Sequence, residues 1–256
     1  MEDQRSAADL ERIYGDTWAL YYDRLYPEVD PAAVDFLEGL AGDSRRALEP
    51  AVGTGRVAIP LAKRGIAVTG IDLSAEMLKI LDEKPGGRLV KTVLGDMVDF
   101  TIDESFPLVF IVANSLFTIL SQDRQAQCFR SVAAHLEPGG RFLLECFVPD
   151  MKRFDENHRH ESERAFDQDG PVLLETSVHE PHTQKVESLI TTRRPDGSQA
   201  TLPVSIRYAW PSELDLMARL AGLELEQRVE WYEGTPFDAS SMRHVSVYRK
   251  PGGPDG

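Results

Sequence analysis

Cysteine is nearly missing from this sequence: Cys128 and Cys146 are the only two in 256 residues. Neither stands in a C-x-x-C or metal-ligand spacing, so a disulfide framework and a thiolate metal centre are both excluded. The pair reads as reduced, packed residues. Long apolar runs are also lacking. None approaches the ~20 residues that a membrane-crossing helix needs, and the polar opening MEDQRSAADLERIYGD has no secretory character. A cytoplasmic protein without a membrane partner is the expectation. Positive charge is in deficit, with 28 Lys and Arg against 42 Asp and Glu, a net charge of −14. The candidate basic patches are Arg193-Arg194 and the scattered Lys152, Arg153, Arg159 and Arg164, and the second group is interleaved with acids. A field of this sign repels phosphate backbones, so nucleic acid is not expected as a partner.

What is present suits one sizeable α/β domain with a smaller piece inserted or appended. Leu10, Ile13, Tyr14, Trp18, Tyr21, Tyr22 and Leu25 share one face of a helix over residues 6–26, and a second helix follows Asp30-Pro31. From Arg45 short apolar runs alternate with helix-length amphipathic stretches, the pattern of βαβ units in a parallel sheet. Strands are predicted at 46–49, 67–71, 88–94, 108–113 and 140–147, with helices at 56–64, 74–83 and 123–136. Residues 151–170 are charged and read as a mobile connection. Antiparallel strands follow at 172–179, 185–192 and 200–208, with a turn at Pro195-Asp196-Gly197. A helix over 211–221 and strands at 223–231 and 244–248 would complete the main sheet. The fold expected is a doubly wound, mostly parallel seven-stranded, Rossmann-like sheet with an antiparallel β insertion after the fifth strand. Its segments are 1–44, 45–150, 151–209 and 210–250, with a disordered tail over 251–256.

Chemistry concentrates where the strands end. The first strand runs into Glu49-Pro-Ala-Val-Gly53-Thr-Gly55-Arg56, whose glycines let backbone approach a ligand and turn into a helix N-terminus. Gly53-Thr-Gly55-Arg-Val-Ala58 also fits the dinucleotide pattern G-x-G-x-x-G/A, with Asp72 at the distance of a ribose-binding acid. Glu49 argues against a pyrophosphate, because its carboxylate would repel one. A third acid, Asp96, follows the third strand in Gly95-Asp96-Met97. Acids at three successive strand ends suit a cationic nucleoside carrying no phosphate.

These residues resemble the class I S-adenosylmethionine-dependent methyltransferases, especially bacterial members acting on small molecules and sugars in natural-product pathways. The resemblance rests on Leu48–Ala62, Gly70-Ile-Asp-Leu-Ser-Ala-Glu-Met-Leu78, Gly95-Asp-Met97 and Leu136-Glu-Pro-Gly-Gly-Arg-Phe142. It implies that Glu49 and the backbone of Gly53 and Gly55, with Ala51 and Arg56 beside them, hold the methionine part of the cofactor. It assigns the ribose to Asp72, next to Leu73 and Met77, and the adenine to Asp96 and Met97. Asn114 would lie beside the sulfonium. Tyr22 and Tyr14 would reach the cofactor from a lid formed by residues 1–44, and residues 151–209 would cover the substrate. Ala51 departs from many members, which carry a glycine there.

The resemblance implies methyl transfer from S-adenosylmethionine, leaving S-adenosylhomocysteine, to an amine of a small molecule, with O-methylation as the alternative and no metal needed. An NAD-dependent oxidoreductase and a non-catalytic nucleoside-binding module are the remoter readings. The candidate catalytic side chains are His244, which begins the last strand and could serve as a general base, and Tyr22. A monomer or homodimer is expected.

Overall fold

A computed structural model describes Ala19 and residues 22–26, 28–165 and 172–252. Tyr14, most of the helix expected over 6–26 and the end of the expected tail lie outside the described residues. The chain divides into two compact units, Met1–Val148 with Trp210–Gly256, and Pro149–Ala209.

The larger unit is built on a seven-stranded sheet of order β10-β11-β5-β4-β1-β2-β3. Its strands are β1 (Arg46–Pro50), β2 (Ala67–Asp72), β3 (Lys91–Leu94), β4 (Phe106–Ile111), β5 (Leu136–Phe147), β10 (Glu224–Val229) and β11 (Arg243–Arg249). β3-β2-β1-β4-β5 pair in parallel, while β11 runs antiparallel to both of its neighbours. The central strands read as continuous apolar runs because both faces are covered: Leu48, Leu108, Val109, Phe110 and Ile111 are completely buried.

Among the described residues, five helices of six residues or more connect or flank these strands: α1 (Pro31–Ala41), α2 (Ala58–Lys63), α3 (Ala75–Glu83), α4 (Gln122–His135) and α5 (Pro211–Leu220). Local chemistry fixes their ends. Asp30 caps α1 by accepting from Ala32 N–H at 2.9 Å, with Pro31 in the first turn. Ser74 caps α3 by accepting from Met77 N–H at 3.2 Å, and Ser121 caps α4 in the same way from Arg124 at 3.3 Å. Val34, Leu37, Leu61 and Leu81 bring three of these helices into the core that also holds Phe110 and Leu143.

The smaller unit carries a four-stranded antiparallel sheet, β6-β7-β8-β9, formed by Arg159–Ala165, Val172–Glu180, Lys185–Arg193 and Gln199–Arg207. β6 corrects the expectation of a mobile connection over 151–170. Its sequence, RHESERA, shows no apolar alternation because it is an edge strand with most side chains exposed. Charge is tolerated there, and the backbone ladder to β7 holds it. A second correction concerns the start of the fifth strand, expected at 140 once the chain had turned through Pro138-Gly139-Gly140. β5 begins at Leu136 and runs through them, with a register shift against β4 between Phe106 and Leu108.

Among the described residues no helix is long and apolar enough to cross a membrane.

Candidate active site

The carboxyl ends of β1, β2, β3 and β4 converge on one cleft, where the strand order reverses between β1 and β4. Open α/β sheets bind ligands at such a switch point. The cleft holds about 950 Å³ of empty space with its open mouth included.

Its floor is the turn after β1. Ala51 and Gly53 both take positive φ, 60° and 55°, and both line the cleft. For Ala51 this left-handed conformation carries a steric cost that glycine would not. Gly53 N–H donates to Asp72 Oδ2 at 2.8 Å, and Ser74 N–H to Asp72 Oδ1 at 2.9 Å. One carboxylate therefore ties the glycine turn to the entry of α3, and it still lines the cleft together with Leu73 and Met77. Gly55 has a different part. It is absent from the lining, and a Cβ there would fall 2.8 Å from Leu81 and 3.0 Å from Ile59. Its role is the close packing of the turn on α2 and α3.

Beneath the turn sits an acid that the sheet buries. Glu49 is 3% exposed, accepts a hydrogen bond from the Ala58 backbone, and leaves Oε2 buried with no partner. Burial holds its carboxyl well above the ordinary range. Arg56 and the Ala58 N–H oppose this, and the nearby Asp72 charge adds to it. A buried carboxylate oxygen without a donor is costly, and an ammonium group in the cleft would supply the missing one. Arg56 lines the same wall, bonds the Tyr22 hydroxyl, donates to the Glu28 carbonyl at 3.3 Å, and keeps a buried Nε unpartnered. Carboxylate and guanidinium together present both signs of charge to a zwitterion.

At the third strand end Asp96 accepts from Val98 N–H at 2.8 Å and from Arg124 at 3.0 Å, and lines the cleft with Met97. Past β4, the lining comes from Val112, Ala113, Ser115 and Thr118. Asn114 does not join them. Its Oδ1 accepts from Phe147 N–H at 2.7 Å, and its backbone, like that of Ala113, is left-handed. The structure thus places Asn114 at the β4–β5 junction and not beside the sulfonium, the position that the resemblance implies.

His244 is likewise displaced from its expected role. It is completely buried and absent from the cleft lining, with Nδ1 2.8 Å from Ser246 Oγ and Nε2 unpartnered. Burial, reinforced by Arg228, lowers its pKa to about 4, although Asp215 pulls the other way. Such an imidazole is neutral and a weak base. The sequence reading also missed Glu145 of β5. This half-buried acid accepts from Tyr232 Oη at 2.8 Å and from the Ala113 backbone, so it braces the cleft wall from behind. Among the described residues no group of three or more His, Cys, Asp or Glu side chains could hold a metal ion.

Comparison with known proteins agrees with this geometry. Residues 47–140 match the family described as "Methyltransferase domain". The cypemycin N-terminal methyltransferase of a Streptomyces species is 31% identical over 214 residues, covering 81% of this chain and 84% of its own. The CcbJ methyltransferase of Streptomyces caelestis is 36% identical, with a TM-score of 0.83 over 94% of this chain and 99% of its own. CalS10 of Micromonospora echinaspora, an amino pentose methyltransferase solved with S-adenosylmethionine bound, shares the fold at 21% identity, with a TM-score of 0.68 over 90% of this chain and 96% of its own. A strand order, a glycine turn and a set of strand-end acids that suit a phosphate-free cationic nucleoside thus coincide with extended similarity along the chain, and this protein belongs to the S-adenosylmethionine-dependent methyltransferases.

Proposed function

We propose that this enzyme methylates an amine of a small metabolite in a natural-product pathway. The observation that carries the choice of atom is the position of the two histidines in the larger unit. His244 is buried away from the cleft with its pKa lowered to about 4. His135 has both ring nitrogens engaged, by the Ser131 carbonyl at 2.7 Å and by Ile102 N–H at 3.0 Å. A hydroxyl acceptor gains from a positioned base, whereas an amine needs only to be neutral and aligned. The relatives lean the same way, since the cypemycin enzyme is named for N-terminal methylation and CalS10 for an amino pentose.

In this reading Glu49 Oε2 receives the ammonium of the cofactor's methionine part, and Arg56 with Tyr22 receives its carboxylate. Asp72 faces the ribose hydroxyls, and Asp96 with Met97 the adenine. The bound sulfonium supplies an electrophilic methyl carbon. The protein's task is then to align the acceptor nitrogen and exclude water, with no side-chain nucleophile. In the same reading residues 151–209 are the acceptor cover and residues 1–44 the lid.

The test is methyl transfer from radiolabelled S-adenosylmethionine into an extract of cells that make the protein. Label retained on nitrogen, with a rate limb that follows the acceptor amine, supports the reading. Label on oxygen, with a limb that disappears when one histidine is replaced, overturns it in favour of O-methylation.

A further inference from the structure

Three residues remote in sequence meet just outside the cleft. The Asp23 carboxylate accepts the Thr54 hydroxyl at 2.7 Å and the Lys84 ammonium at 2.7 Å, and Lys84 Nζ also donates to the Thr54 carbonyl at 2.9 Å. Thr54 is completely buried, while the Asp23 and Lys84 side chains are 37% and 27% exposed. None of the three lines the cleft, yet each is joined to something that does. Tyr22 precedes Asp23, Gly53 precedes Thr54, and α3, which contributes Met77, ends immediately before Lys84.

The described helical residues Tyr22–Leu25 stand beside the glycine turn. Side-chain contacts join them to the core. Tyr22 meets Arg56 through its hydroxyl and packs against Tyr26 with ring centroids 5.2 Å apart, but neither contact reaches Thr54, between the two glycines. The Asp23 carboxylate does, and a partly buried ion pair that shares a backbone carbonyl is better fixed than an exposed one.

We propose that Lys84 is a positioning residue: through Asp23 it pins the N-terminal turn to the glycine turn and so holds Tyr22 against Arg56, above the methionine end of the cofactor. This rests on the placing of the methionine part at Glu49, Arg56 and Tyr22. The consequence is selective. Ligands that carry the methionine part should be retained by the pin, and a ligand that stops at the ribose should not sense it.

The experiment uses the full chain, with calorimetry and stopped-flow release of S-adenosylhomocysteine and, separately, of adenosine. Asp23→Asn and Lys84→Met should each weaken S-adenosylhomocysteine about three- to tenfold, chiefly through faster release. Adenosine affinity should stay unchanged. The double variant should lose no more than either single one, because both remove the same contact, and Lys84→Arg, which keeps the charge should the methionine variant fold poorly, should stay near wild type. Unchanged S-adenosylhomocysteine release in Asp23→Asn and Lys84→Met would overturn the pin and leave the site assignment standing. Equal losses for both ligands would reduce Lys84 to a structural part and also overturn it. Adenosine bound as tightly as S-adenosylhomocysteine by the unaltered protein would instead overturn the placing of the methionine part.

Discussion

Gly53 N–H donates to Oδ2 of Asp72 at 2.8 Å, so the acid that ends β2 holds the turn that ends β1. Asp72 is therefore both a wall of the cleft and the fastener of its floor. Asp72→Ala should weaken S-adenosylhomocysteine by about 1–3 kcal/mol, the cost of leaving polar groups without a charged acceptor. It should also lower the melting temperature in the absence of ligand. Calorimetry beside a melting curve separates the two effects, and an unchanged dissociation constant in a less stable variant would leave only the fastening role.

Ala51 carries a φ of 60° where many family members have glycine. A left-handed alanine costs roughly 1–2 kcal/mol, partly offset by the greater freedom of glycine in the unfolded chain. Ala51→Gly should therefore stabilise the protein by about 0.5–1 kcal/mol without weakening cofactor affinity. Denaturant unfolding checks the first claim and calorimetry the second.

Legibility in the sequence followed the range of the interactions concerned. Helix ends were readable because caps are local: Asp30 with Pro31 and Ser74 act within three residues of themselves. The acids at 49, 72 and 96 were readable because the βαβ pattern alone brings strand ends together. Asn114 was misread because its side chain bonds a residue 33 positions away, and nothing nearby announces that bond. Glu145, Arg124 and Lys84 escaped for the same reason. β6 escaped because an edge strand exposed on both faces needs no apolar period.

His244 is buried and has a pKa of about 4, against an ordinary 6.5. Between these values the unfolded chain binds more protons than the folded one, so stability rises with pH through that window and is complete above about 6.5. The span is worth up to about 3 kcal/mol. His244→Gln should flatten the stability profile between pH 4 and 6.5 and leave no change in any rate limb near neutrality. Urea titrations across that range are the measurement, and an unchanged slope would show that His244 does not set it.

For Glu49 the sign is reversed. Its folded pKa lies above the ordinary 4.5, so the folded chain holds the extra proton, and stability falls as pH rises from about 4.5 through the raised value. Glu49→Gln should remove that loss and melt higher at pH 7 without ligand, yet bind S-adenosylhomocysteine more weakly. A variant that is less stable and binds normally would contradict both halves.

The central claim is that a buried carboxylate at the end of β1 reads the cationic end of a phosphate-free nucleoside. Calorimetric titration of the unaltered protein and of Glu49→Gln at neutral pH, with S-adenosylhomocysteine and with NAD, tests it most directly. The account predicts tight binding of S-adenosylhomocysteine to the unaltered protein, at least about tenfold weaker binding to the variant, and no measurable affinity for NAD in either. Tight NAD binding, or equal S-adenosylhomocysteine affinity in the two proteins, would contradict it.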